Sequence, residues 1–170
     1  MILDKEYFKR SAKELAPDLI GKVLCRKVEG VVHRARITET ECYFGEEDTA
    51  CHAHKGKTPR TVTLYHEGGI TYVYLCYGMH SLLNFVTGED GHPEAVLIRG
   101  VEGAVGPGRV TKLLGITRAD NAIPLSEDYG IWVEDDGAQP PKIEKLPRVG
   151  IDYAEKKDRE RKWRFLIKRS

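Results

Sequence analysis

Apolar residues recur over the first twenty positions at close to helical spacing: Tyr7, Phe8, Ala12, Leu15 and Ala16, with Asp4 in front as a helix N-cap. Pro17 interrupts the series, so a second short helix carrying Leu19 and Ile20 is expected to start there and to end at Gly21. The period then changes to two. Residues 22–28 (KVLCRKV) and 31–43 (VVHRARITETECY) read as strands joined by a two-residue hairpin turn at Glu29-Gly30. Residues 44–63 have no clear periodicity and carry a basic cluster of His54, Lys55, Lys57 and Arg60. A second hairpin pattern follows. Ile70, Tyr72, Tyr74 and Cys76 alternate with Thr71, Val73, Leu75 and Tyr77, Gly78-Met79 marks a reversal, and residues 80–87 return as the partner strand. Residues 95–101 (AVLIRGV) read as a buried strand in which Arg99 is an anomaly. Residues 106–116 (GPGRVTKLLGI) open with a glycine–proline turn and continue as a short helix. Residues 130–134 and 163–168 supply late strands, separated by a Pro-rich loop at 139–147. Neighbouring hairpins with helices at the ends predict an antiparallel α+β fold rather than a doubly wound sheet.

The length of 170 residues predicts one domain, residues 1–170, with a single substantial core. With 31% charged and 41% hydrophobic residues, the chain is globular in composition. No apolar run approaches a bilayer crossing and the start MILDKEYF lacks a signal-peptide pattern, so no membrane and a cytoplasmic location are expected. Cys25, Cys42, Cys51 and Cys76 show no CxxC pairing and are read as buried free thiols. The net charge of +1 hides an uneven distribution: residues 156–169 hold eight Lys/Arg against two Asp/Glu, while residues 127–136 are acidic. A basic face, and with it a nucleic-acid partner, therefore stays open.

Candidate chemistry concentrates in residues 36–54, RITETECYFGEEDTACHAH. On a regular strand Ile37, Glu39, Glu41 and Tyr43 share one face and Thr38, Thr40 and Cys42 the other. Two carboxylates about 7 Å apart on one face are unfavourable in a purely structural strand. Such a face is either left open to water or belongs to a site. Cys42, Cys51, His52 and His54 have neither the paired CxxC spacing of zinc sites nor the HxE…PCxxC arrangement of zinc deaminases, so no metal is expected. Tyrosines on a sheet more often pack than stack on ligands, but Tyr77 directly precedes the reversal, where an aromatic side chain can wedge between bases. Gly106-Pro107-Gly108 offers backbone N–H groups to a phosphate and serves equally well as a plain helix start.

Taken in order, TETECY…EEDTACH, TPR at 58–60, YVYLCYGMHSLLN, LIRGVE, GPGRVTKLLGI, PRVGIDY and WRF resemble the alkyladenine (3-methyladenine) DNA glycosylases, in a compact form without the N-terminal extension of some relatives. The resemblance implies a curved, mostly antiparallel sheet with flanking helices and a protruding β-hairpin. It implies a monomer that needs no cofactor, acts on double-stranded DNA containing damaged purines and hydrolyses the N-glycosidic bond without nicking the strand. By that resemblance Glu41 is the general base, Arg99 lies near the water and the backbone at the lesion, and Tyr43, His52 and Tyr74 surround the extruded base. Asn84 crowds the 2-amino group of guanine, Tyr77 fills the gap in the duplex, and Thr58, Arg60, Arg109 and Lys112 contact the DNA backbone. Glu39, on the face of Glu41, is expected to be structural and paired with a basic group. His80 stands where some relatives have tyrosine, which removes the resemblance as a guide at that position. Two other classes compete: a base-stacking RNA-binding module, which has no use for Glu41, and a metal-dependent hydrolase built on Cys51, His52 and His54.

Overall fold

The computed structural model describes residues 1–76 and 78–168. Among these, four helices and nine strands form an α+β fold built on an open, curved and antiparallel sheet, the expected class. No helix among them is long and apolar enough to cross a membrane.

The N-terminal helical pattern divides earlier than its spacing implies. α1 (Lys5–Phe8) is capped by the Asp4 carboxylate, which accepts from the Tyr7 amide at 3.2 Å, and α2 (Ala12–Asp18) starts behind Ser11. The break therefore falls at the Ser11 cap and not at Pro17, which sits inside the last turn of α2. A second acceptor holds the new start in place: the buried Glu94 takes the Ala12 amide at 2.7 Å.

β1 (Val23–Val28) and β2 (Val31–Phe44) meet in the expected two-residue turn, where Glu29 and Gly30 have φ of 51° and 81°. β3 (Thr71–Cys76), β4 (His80–Val86) and β5 (Glu94–Val101) continue as neighbours, and the short β6 (Ala104–Val105) folds back on β5. α3 (Pro107–Leu114) ends at Gly115 in the left-handed conformation. β7 (Ile131–Glu134) pairs with β1, and β9 (Arg164–Ile167) pairs with β2 after α4 (Lys156–Arg159). β8 (Ile143–Leu146), paired with β9, lies inside the segment expected to be a Pro-rich loop. Its alternation is weak because it is a half-buried strand of mixed charge. The sheet runs β3-β4-β5-β2-β1-β7, and Glu39 to Glu41 are hydrogen-bonded on both edges, to β5 and to β9.

The two faces of β2 to β5 have different tasks. Cys42, Val96, Ile98, Leu83, Phe85 and Val73 point into the main core with Phe8, Leu15 and Leu19. Thr40 is wholly buried on this side, and its hydroxyl donates to the Ala16 carbonyl at 2.6 Å, an acceptor left over at the end of α2. Ile37 also belongs to this core rather than to the face of Glu41, which corrects the simple alternation. The register shifts twice, between Ile37 and Glu39 and between Glu39 and Thr40, and this β-bulge turns the strand over. Gly100 makes room for it, since a Cβ there would lie 2.9 Å from the Thr38 hydroxyl oxygen.

Candidate active site

Downstream of the bulge, cross-strand register places Arg164, Glu41, Leu97, Asn84 and Tyr72 in one row across β9, β2, β5, β4 and β3. Four members of that row, Glu41, Leu97, Asn84 and Tyr72, line the floor of a cleft of about 880 Å³ on the sheet face opposite the core. Its walls come from loops: the 3₁₀ turn His52–Lys55, the segment 149–153 and the N-terminal turn of α3. The regular strands fix the floor because consecutive side chains on one face are two residues apart.

Glu41 is the most enclosed ionisable group here, with 0% exposure. Its Oε1 accepts from the Tyr43 hydroxyl and its Oε2 from the Val149 amide, each at 2.7 Å, and the Nε of Arg99 stands 3.8 Å away. Burial pushes the Glu41 carboxyl above the usual carboxylate range, against the opposing pull of Arg99, the Val149 N–H, the Tyr43 hydroxyl and Arg148. Burial, and then the charge of Glu41, hold the Tyr43 phenol well above its ordinary value, so that it remains a donor. Glu39 is paired as expected: its Oε2 accepts from Arg99 at 2.9 Å and from Arg164 at 3.3 Å. Arg99, anomalous in a buried strand, is thus explained by two carboxylates.

The side of the cleft over β3 is aromatic. The His52 ring lies 4.4 Å from the Tyr74 ring, and Tyr72 lies 5.4 Å from Tyr74. The His52 Nδ1 is 3.0 Å from the Tyr72 hydroxyl, and burial, with the charge of Arg60 second, lowers the imidazole from 6.5 to about 4. His52 is therefore neutral near pH 7. Asn84 is buried, and its Nδ2 donates to the Tyr72 carbonyl at 3.2 Å. The remaining sequence-selected residues sit further out. Arg60 places its guanidinium 5.2 Å above Tyr74 and lines the cleft, whereas Arg109 and Lys112 are exposed at its rim on α3. Thr58 lies outside the cleft lining, and its hydroxyl oxygen accepts from the Thr61 amide at 3.1 Å. Tyr77 lies outside the described residues. His54 turns away from Cys51 and His52, with Nδ1 2.7 Å from the Glu46 carbonyl, and among the described residues no group of three or more His, Cys, Asp or Glu is arranged to hold a metal ion. The cysteines are unpaired, with Cys25, Cys42 and Cys51 buried and Cys76 half-buried.

Sequence reasoning missed Val149, Asp48 and Arg148. The buried Arg148 makes a two-pronged pair with Asp48, at 2.7 and 2.9 Å, and its guanidinium lies 4.9 Å from the Tyr43 ring. Asp48 stood in the EEDTACH segment as one acid among three, and Arg148 and Val149 stood in PRVGIDY, where a single arginine in a loop reads as solvated.

A profile of the methylpurine-DNA glycosylase family matches this chain over residues 6–105 and 102–170. Among similar proteins, one from Psychrobacter cryohalolentis is 44% identical over 90% of this chain and 86% of its own length. Another from Methanocella arvoryzae is 41% identical over 99% of this chain and 94% of its own. Each is named "putative 3-methyladenine DNA glycosylase". The cleft with its buried carboxylate thus sits in a DNA glycosylase of base excision repair. The chain belongs to the methylpurine-DNA glycosylase family, as the ordered motifs led one to expect.

Proposed function

We propose that this protein extrudes a damaged purine nucleotide from duplex DNA into the cleft and hydrolyses its N-glycosidic bond, leaving an abasic site in an unbroken strand. The observation that carries this reading is Glu41: a fully buried carboxylate on the floor of an aromatic cleft, with each oxygen holding one donor. A carboxylate has about four lone-pair sites, so capacity remains for a water molecule. In the proposed step that water adds to C1′, its proton passes to Glu41, and the bonding pair of the glycosidic bond leaves with the base. The anion also stabilises the positive charge that develops on the sugar. The raised proton affinity of Glu41 strengthens it as a base.

A base held between Tyr43, Tyr74 and the neutral His52 is stacked on aromatic faces, and a cationic alkylpurine gains cation–π attraction as well. Such a base is already a good leaving group. Neutral lesions, hypoxanthine or ethenoadenine, require a proton or a hydrogen bond on the leaving base. Asn84, fixed in the floor by its bond to Tyr72, crowds the place where a guanine 2-amino group would sit. Extrusion costs a few kcal/mol of stacking and pairing, which Tyr77 offsets by filling the gap. Arg60, Arg109, Lys112 and Thr58 hold the flanking phosphates. In this reading the chain is a one-domain monomer that works in the cytoplasm on chromosomal DNA.

The test is incubation with duplexes carrying 3-methyladenine, 7-methylguanine, hypoxanthine or ethenoadenine, followed by alkali. Strand breaks that appear only after alkali support hydrolysis to an abasic site. Breaks without alkali, or a protein–DNA adduct trapped by borohydride, would show a lyase step and overturn the single-activity reading.

A further inference from the structure

Both hydrogen bonds on Glu41 lead back to one residue outside the cleft. Val149, which donates to Oε2, follows Arg148 in the chain. Tyr43, which donates to Oε1, lies with its ring 4.9 Å from the Arg148 guanidinium. Arg148 is itself fixed with little freedom. It is 5% exposed, its Nη1 donates to the Cys42 carbonyl at 2.8 Å and to Asp48 at 2.7 Å, and its Nη2 donates to Asp48 at 2.9 Å and to the Asp158 carbonyl at 3.3 Å. The Trp163 ring centroid lies 5.0 Å from the same guanidinium. The Cys42 carbonyl is part of the strand segment between Glu41 and Tyr43, so the guanidinium grips the backbone of the site as well as its loop. Lysine offers a point charge without a fork or a stacking plane and cannot make this set of contacts.

We propose that Arg148 is a positioning residue for excision, holding both donors of Glu41 in place at once and supplying a fixed positive charge behind the carboxylate. The proposal rests on the reading of Glu41 as the general base. It assigns work to a buried side chain that does not line the cleft. The ionisable groups around Glu41 come from five segments: Tyr43 on its own strand, Arg99 on β5, Arg164 on β9, Tyr74 on β3, and Arg148 with Tyr153 in the segment after β8. Arg99 is shared with Glu39, its nearer partner at 2.9 Å against 3.8 Å. Arg148 is among the groups that oppose the rise in Glu41 proton affinity caused by burial. Without it the carboxylate is harder to ionise, and the acid limb of the rate profile moves to higher pH.

The experiment measures single-turnover excision, its pH profile and lesion-duplex binding for two variants. One is Arg148→Met combined with Asp48→Asn, which removes the buried pair together and leaves neither charge alone. The other is Arg148→Lys, which keeps the charge and loses the fork. The double variant is expected to bind nearly as well as wild type and to excise about 10–100-fold more slowly, the size of effect produced by slight misplacement of a reacting group. Its acid limb should lie at higher pH. Arg148→Lys should also be slow, with its acid limb close to that of wild type. A merely structural role predicts earlier melting with an unchanged rate per folded molecule and an unchanged acid limb, and that result overturns the proposal. Should the double variant fail to fold, Arg148→Lys decides alone: a folded lysine variant with the wild-type rate overturns it. Glu41→Gln run in parallel separates the two readings. If it retains full activity, both fall. If it is inactive while the Arg148 variants are unimpaired, only the positioning role falls.

Discussion

The two faces of β2 to β5 both bury side chains fully and are otherwise opposite. Phe85, Leu83, Ile98 and Cys42 on one face have 0% exposure, and so does Glu41 on the other, with Asn84 and Tyr72 at 3%. On the core face, burial is itself the favourable event, and each large side chain removed from water contributes roughly 1.5–3 kcal/mol. On the cleft face, burial opposes the charged state of Glu41 and is offset by the aimed donors Tyr43 and Val149, by the nearby Arg99 and by Arg148 behind them. The same backbone ladder serves both. A carboxylate can therefore be held in an unfavourable environment by strands whose stability is supplied on their other side.

If that division is real, substitutions on the two faces should fail in different assays. Glu41→Gln should lower single-turnover excision by about 10²–10⁴-fold, the range of general acid–base catalysis, with lesion-duplex binding retained. Stability should follow pH with a definite sign. The folded protein binds the Glu41 proton more tightly than the unfolded chain does, so this group's contribution is most favourable below the ordinary carboxylate range and declines as pH rises through the raised value. Melting curves across acid pH should show wild type losing stability relative to Glu41→Gln as pH rises, since the other carboxylates titrate alike in both. Wild-type excision by a folded Glu41→Gln protein would end the assignment.

Phe85→Ala tests the other face. Phe85 packs edge-on against Phe8 with centroids 5.7 Å apart, and its truncation should cost about 3–5 kcal/mol in chemical denaturation. Excision per folded molecule should stay near wild type. A selective loss of rate without loss of stability would blur the division between faces.

Smaller effects should sharpen it. Asn84→Ser shortens a cleft-floor side chain and should raise excision of 7-methylguanine relative to hypoxanthine, which lacks the 2-amino group, by about tenfold. An unchanged ratio would remove Asn84 from base selection. At the rim, Arg109→Ala should reduce the slope of log affinity against log salt by about 0.9, the signature of one lost phosphate contact. An unchanged slope would place Arg109 outside the interface.

What the sequence revealed was local. The β1–β2 turn followed from Glu29-Gly30, and the alternation in residues 71–76 put Tyr72 and Tyr74 on one face and Thr71 and Val73 on the other, because a period of two needs no knowledge of partners. The bulge could not be read from β2 alone. It depends on Gly100 and Arg99 of the neighbouring strand, and so the side of Ile37 was misread. Pro17 suggested a break that Ser11 provides six residues earlier. β8 was concealed by its mixed charge and flanking prolines. Of the site, Glu41, Tyr43, His52, Tyr74, Asn84 and Arg99 do line one cleft, but the ion pair of Asp48 with Arg148 spans 100 positions, a separation that no local pattern encodes.

The bulge at Thr38 gives β2 something like two reading frames. Upstream, residues 31–36 keep their frame with β1 through a turn of two residues. Downstream, residues 40–44 keep theirs with β5. A residue gained near Glu29-Gly30 can be taken up by the turn, leaving the downstream frame intact. A residue gained or lost between Thr40 and Tyr43 would exchange the faces, delivering the carboxylate to the core and Cys42 to the cleft. A change of length in the β1–β2 turn should therefore be tolerated, whereas these few codons accept no shift in count.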